Sequence, residues 1–181
     1  MGEDAILQHD ILAVPVTIRP CREGDLAALE WYGEYTPHRD IIHRAYAMQR
    51  SGDGCMIVAD VNGFPAGQVW IDFVRKRHLR RATLWAVRVF ATFQRTGLGT
   101  RLMRAAERAV ADRGVDEAEL GVDRDNIGVL HFYERLGYEP CGTERGTYSY
   151  RTPDGRTVDV PIDQILLHKR LAGRDARHAA Q

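Results

Sequence analysis

Hydrophobic positions along the chain change their period several times, and each change marks an element. "VTIRP" (Val16 to Pro20) reads as a short first strand closed by proline. In "EGDLAALEWYGEY", Asp25 is placed to cap a short helix that Leu26, Leu29 and Glu30 begin. A second helix is predicted after Pro37, where Ile41, Ile42, Ala45, Tyr46 and Met48 give "HRDIIHRAYAMQR" an apolar face. The next segment changes period. "CMIVADV", Asn62-Gly63 and "FPAGQVWIDFV" form a hairpin pattern, because Asn-Gly readily takes the positive φ angles of a type I′ turn. "ATLWAVRVF" (Ala82 to Phe90) is a further β-branched and aromatic strand.

From Leu98 the period lengthens again. Leu98, Leu102, Met103, Ala106, Ala109 and Val110 share one face of a helix, with Arg101, Arg104, Glu107, Arg108 and Asp112 on the others, and Gly114 ends it. "EAELGVD" (Glu117 to Asp123) reads as a strand, and "NIGVLHFYERLG" as a short helix opened by Asn126. "YEPCGTERGTYSY", the turn "TPDG" and "VDVPIDQILLHKRL" (Val158 to Leu171) complete the pattern, with Pro161 marking an edge or a bulge. The order β-α-α-β-β-β-α-β-α-β-β predicts a mixed α/β sheet with helices on both faces. One domain over residues 14–171 is expected, with flexible tails at 1–13 and 172–181.

Composition narrows the chemistry. The chain has 181 residues, 44% hydrophobic and 28% charged, and 25 basic side chains balance 25 acidic ones. That balance speaks against a nucleic-acid binder, and "RKRHLRR" (Arg75 to Arg81) reads as a solvated turn, with a basic patch as the alternative. Three dispersed cysteines without a CxxC indicate neither a disulfide framework nor a zinc site, and fit a reducing cytoplasm. The seven histidines form no HExxH pair, so no metal is expected. No apolar run approaches the ~20 residues of a membrane span, no signal peptide is visible, and Ile6 stands where a myristoylation signal wants Ser or Thr.

The candidate chemistry sits in "QRTGLG", where a strand feeds a helix through two closely spaced glycines. The first N–H groups of a helix lack intrahelical partners and the helix dipole adds positive potential, so an anion such as a pyrophosphate suits the site. Arg95 adds a cation. The P-loop pattern is absent because no Gly-Lys-Ser/Thr follows. A dinucleotide fingerprint would need a third glycine where Leu102 stands, although Asp116 and Glu119 lie where its ribose-binding acid would. A tight turn with close helix–sheet packing, and no ligand, remains open for this loop alone.

Gln94-Arg95-Thr96-Gly97-Leu98-Gly99 resembles the Q/R-x-x-G-x-G/A motif of the GCN5-related N-acetyltransferase (GNAT) superfamily. About 27 residues later, "NIGVLHFYERLGY" (Asn126 to Tyr138) resembles its second signature, N-x-x-A-x-x-F-Y-x-x-x-G-F. The departures are Ala91 for a frequent proline and Val129 for the motif's alanine. The resemblance spans roughly residues 16 to 170 and implies a mostly antiparallel seven-stranded sheet. It implies that the amides of Arg95, Thr96, Gly97, Leu98, Gly99 and Thr100, with Gln94, hold the pyrophosphate of acetyl-CoA. It also implies that the pantetheine arm pairs with the backbone at Val87 and Val89, where that strand splays from the 117–123 strand. Asn126 would touch the same arm. An amine would attack the thioester directly in a ternary complex, a backbone N–H at Val89 would stabilise the oxyanion, and Tyr133 would face the sulfur.

Core packing is the alternative role for Tyr133, with Phe132 the better core candidate of the two. The strand "TLWAVRVF" has no carboxylate, so a general base is sought in Glu34, Asp72, His78 or Asp123, or in a water chain. Trp31, Tyr32, Glu34, Tyr35 and Tyr148-Ser149-Tyr150 are expected to line the acceptor pocket. The acceptor is a small-molecule amine, a peptide N-terminus or a lysine; the residues do not choose among them. Superfamily members are often homodimers, which leaves a homodimer open here. A non-catalytic CoA-binding module of the same fold is the alternative function.

Overall fold

Asn62 and Gly63 both take positive φ, 51° and 86°, and fold strands β2 (Gly54–Val61) and β3 (Phe64–Asp72) into the expected hairpin. The computed structural model describes residues 13–171, so the tails, apart from residue 13, lie outside the described residues. Strand β1 (Val16–Pro20) pairs with β2, and β4 (Arg81–Val89) with β3, all antiparallel. Strand β5 (Glu117–Asp123) joins β4 in parallel, then pairs antiparallel with β7 (Thr157–Arg170), whose other neighbour is β6 (Glu139–Arg151). The result is one seven-stranded, mostly antiparallel sheet of order β1-β2-β3-β4-β5-β7-β6.

Helices cover both faces, which explains why residues 55–59 of β2 form an unbroken apolar run rather than an alternating one. Met56, Val58 and Trp70 face α1 (Arg39–Ser51) and pack with Leu29, Ile42 and Ala45. Ile57, Ala59, Val69 and Ile71 point the other way, onto Leu102, Met103, Ala106 and Val110 of α2 (Leu98–Asp112). The short helix α3 (Ile127–Arg135) joins that second cluster through Tyr133. Pro161 sits on an edge, as expected. It pairs with Thr147 of β6, while β5 begins its pairing with β7 only at Gln164.

The helix expected from Asp25 is not formed. In its place stand 3-10 turns at Glu23–Asp25, Ala28–Gly33 and Thr36–His38. The Asp25 carboxylate is buried and receives both terminal Arg19 nitrogens at 2.7 and 2.8 Å, besides the Arg22 N–H at 2.7 Å. Further on, the Trp31 indole N–H is anchored on the Pro65 carbonyl at 2.8 Å, and Trp31 and Tyr32 take φ of 44° and 57°. Contacts with β1 and β3 thus dictate the path of this segment over its helical propensity.

Candidate active site

Strands β4 and β5 pair only at Arg81–Glu117, Ala82–Ala118 and Thr83–Glu119, and then part. A bulge in β4 accompanies the parting. Trp85 faces Trp70 and Arg88 faces Gln68, so Ala86 and Val87 stand together opposite Val69, with Ala86 at φ 50°. Bulges bend a strand and raise its twist. The end of β4 stays on β3 through the Phe90 N–H to Ala66 carbonyl bond of 2.8 Å. Strand alternation therefore turns the Val89 N–H to the open side, toward β5.

The glycine loop follows directly. Gln94 donates its side-chain amide to the Val89 carbonyl at 3.1 Å, and the Thr96 hydroxyl donates to the Phe93 carbonyl at 2.7 Å. Arg95 and Gly97 take φ of 62° and 82°. No side chain caps α2, and its first backbone bond is Arg101 N–H to Gly97 carbonyl, so the N–H groups of Leu98, Gly99 and Thr100 have no partner within the helix. The Leu98 side chain is buried in the core, which leaves only its amide to the loop. The two glycines serve different ends. A Cβ on Gly97 would meet nothing within 4 Å, so its demand is conformational. A Cβ on Gly99 would lie 3.4 Å from Phe132 Cζ and 3.8 Å from Val89 Cγ2. The start of α2, the end of β4 and helix α3 therefore converge at Gly99.

On α3, Asn126 is the N-cap, its side-chain oxygen accepting the Val129 N–H at 3.3 Å. The expected division between the two aromatics is reversed. Tyr133 is 5% exposed and packs edge-on against Phe132 and Tyr138, whereas Phe132 is only half-buried. Helix rotation brings Tyr133 inward, while Phe132 lies beside Gly99. Burial pushes the Tyr133 hydroxyl well above the ordinary tyrosine range, so it stays protonated.

A cavity of about 600 Å³ opens on the opposite, α1 side and runs across the gap between β4 and β5. Tyr148 and Ser149 line it, as expected, together with His38, Trp85, Arg88 and Glu119. Trp31 does not line it, being part of the core, and Tyr32 is 88% exposed and stacked on Phe64. Of the four candidate bases, Asp72 alone lines the cavity. Asp72 caps the Val74 and Arg75 N–H groups at 2.7 and 3.0 Å, and Asp123 accepts from Gln164 at 2.9 Å. Glu34 and His78 are exposed and absent from the cavity wall. The solvated-turn reading of "RKRHLRR" holds for His78 but not for Lys76 and Arg81. Lys76 pairs with Glu119, and Arg81 holds Glu119 at 2.6 Å and Glu117 at 2.5 Å.

Three cavity groups escape the sequence reading as acceptor-site candidates. Glu119 is 2% exposed, and both of its oxygens are engaged by cations. His38 stacks on Tyr150 with its Nδ1 buried and unpartnered, which leaves Nε2 to meet a ligand. Burial, with Arg88 adding repulsion, pulls the His38 pKa below the usual value near 6.5 and keeps the ring neutral at pH 7. The third group is Arg88 itself. Each comes from a different element, and no local spacing could have joined them. No group of three or more His, Cys, Asp or Glu suited to a metal occurs among the described residues. No helix among them is long and apolar enough to cross a membrane.

Residues 25–138 match the family model described as Acetyltransferase (GNAT) family. An uncharacterized N-acetyltransferase of Methanocaldococcus jannaschii is 36% identical over 106 residues, 56% of this chain and 46% of that protein; the match thus spans about half of the relative's length. The ribosomal-protein-S18-alanine N-acetyltransferase of Escherichia coli superimposes with a TM-score of 0.63 at 24% identity, covering 89% of this chain and 98% of that one. PaiA N-acetyltransferase of Thermoplasma acidophilum, in complex with coenzyme A, superimposes with a TM-score of 0.67 at 15% identity, covering 86% and 99%.

Proposed function

Because the chain belongs to the acetyltransferase (GNAT) family, we propose that it moves an acetyl group from acetyl-CoA to a primary amine by direct attack in a ternary complex. The observation that carries this reading is the gap between β4 and β5, with the uncapped start of α2 on one side and the acceptor cavity on the other. The pyrophosphate lies on the amides of residues 95–100, where the helix start offers unpaired donors. The pantetheine arm follows β4 past Val87 and Val89 and reaches Asn126. As the amine adds to the thioester carbonyl, the outward Val89 N–H donates to the developing oxyanion. The Tyr133 hydroxyl donates to the departing sulfur. His38, neutral at pH 7, takes the amine's proton, directly or through water. Coenzyme A in the Thermoplasma acidophilum relative supports the choice of cofactor. The absence of a disulfide among the three cysteines agrees with a cytoplasmic location.

Calorimetry with acetyl-CoA and with NAD, followed by thiol release over a panel of amines, tests the reading. Binding of acetyl-CoA, none of NAD, and thiol release that depends on an amine are expected. Acetyl-CoA binding without thiol release on any amine would favour a non-catalytic CoA-binding module, a reading that the paired carboxylates of the cavity keep in play.

A further inference from the structure

Arg88 stands one residue before Val89 on β4, and its half-buried side chain lines the cavity on the α1 side. Its guanidinium carbon lies 4.2 Å from the centre of the Tyr35 ring. The other cations around the cavity have carboxylate partners: Arg75 pairs with Glu144, Lys76 with Glu119, and Arg44 with Asp40. Arg88 pairs with none among the described residues. Glu34 acts on it only through space, and is exposed. A guanidinium keeps its charge in proteins and carries five N–H donors, so leaving one half-buried without an anion is costly. The cavity beside it is open, and Ile41, Met48, Trp85, Leu120 and Leu166 give it an apolar wall. Its volume of about 600 Å³ suits a small molecule.

We infer that Arg88 binds a carboxylate of the acceptor, so that the acceptor is a small amino acid with an apolar side chain rather than a simple amine. This inference rests on the transferase reading above. It follows from adjacency along β4. The Val89 N–H marks the reacting carbonyl and Arg88 stands at the next position on the strand, so an amine and a carboxylate a few atoms apart reach both. The guanidinium can take the carboxylate through two parallel N–H bonds while its face stays on Tyr35.

The test uses matched acceptors at equal free-amine concentration: phenylalanine, phenylalaninamide and phenethylamine, with leucine and isoamylamine as a second set. Thiol release should favour the acids by about 10- to 100-fold in kcat/KM, the usual worth of a hydrogen bond to a charged group. Arg88→Gln should collapse that ratio toward one, and Arg88→Lys should keep part of it. Circular dichroism confirms that both variants fold. Equal rates for acid and amine on the natural protein, or a loss in Arg88→Gln that strikes all acceptors alike, would overturn the inference.

If no acceptor releases thiol, calorimetry on the CoA-loaded protein decides. N-acetylphenylalanine should bind more tightly than N-acetylphenethylamine, and Arg88→Gln should abolish the difference. That outcome would keep the carboxylate site while removing the transferase. Equal binding of the two would remove the site.

Discussion

Tyr133 and His38 show what burial does to two polar side chains on opposite faces of the same gap. The Tyr133 hydroxyl lies above the ordinary tyrosine value near 10, itself above a thiol near 8.5, so complete proton transfer to a departing thiolate is uphill. Hydrogen bonding to the sulfur is the role that this environment favours. Tyr133→Phe should therefore lower kcat by about 10- to 100-fold while the calorimetric affinity for acetyl-CoA stays within about twofold. Unchanged turnover at saturating amine would remove Tyr133 from the chemistry. His38 has its pKa depressed, so the neutral ring persists as pH falls below about 6.5 and is lost only below its own, lower pKa. The groups facing it are Arg88 and the rings of Tyr35 and Tyr150. An amine of ordinary basicity contributes one proton to the slope of log kcat/KM against pH. The natural protein should show a slope of two below the His38 pKa and one above it, and His38→Gln should keep the single slope throughout. The "QRTGLG" and "NIGVLHFYERLGY" residues were legible because their spacing is local. His38 and Arg88 were not, since their meaning arises only where elements distant in the chain meet.

At the scale of elements, the hairpin, α2 and the final strands could be read from period and turn chemistry, because each buries a face that its own sequence declares. The segment from Glu23 to His38 could not. Its path is dictated from outside, by Arg19 on β1 and by the Pro65 carbonyl on β3. The Arg19 guanidinium takes Asp25 and Asp60 together, with side chains 13%, 10% and 17% exposed. Arg19→Ala would leave two carboxylates with little water and no counter-charge, and should cost about 3–5 kcal/mol in urea unfolding at pH 7. The same geometry sets an acid limit. The Arg19 bond holds the Asp25 carboxyl below its ordinary range, so its stabilisation is present above the unfolded value near 4 and is lost as pH falls through the lower native value. Asp25→Asn should flatten the dependence of the urea midpoint on pH below about 4. A natural protein with no such dependence would contradict the pairing.

Over the whole molecule, the sheet is two antiparallel halves, β1 to β4 and β5 to β6, joined edge to edge by three parallel residue pairs. The opening proposed to admit both substrates is also where the sheet is held by fewest backbone bonds. Glu119, on the last of those pairs, binds Lys76 and Arg81 from the β4 side. It is the most deeply buried carboxylate in the cavity wall and invites assignment as the base, yet both oxygens are engaged. Its work is then mechanical: it draws the two halves together below the gap. Glu119→Ala would strand Lys76, whereas Arg81 retains Glu117. The expected loss is about 3 kcal/mol in urea unfolding, with the slope break assigned to His38 still present in the pH–rate profile. The double variant Lys76→Met, Glu119→Leu should recover most of that stability, because apolar groups of similar volume commonly replace a buried ion pair without loss. If the double variant were as unstable as Glu119→Ala, the site would need its charges and not merely its packing. If Glu119→Ala removed the slope break instead, the proton would pass through Glu119.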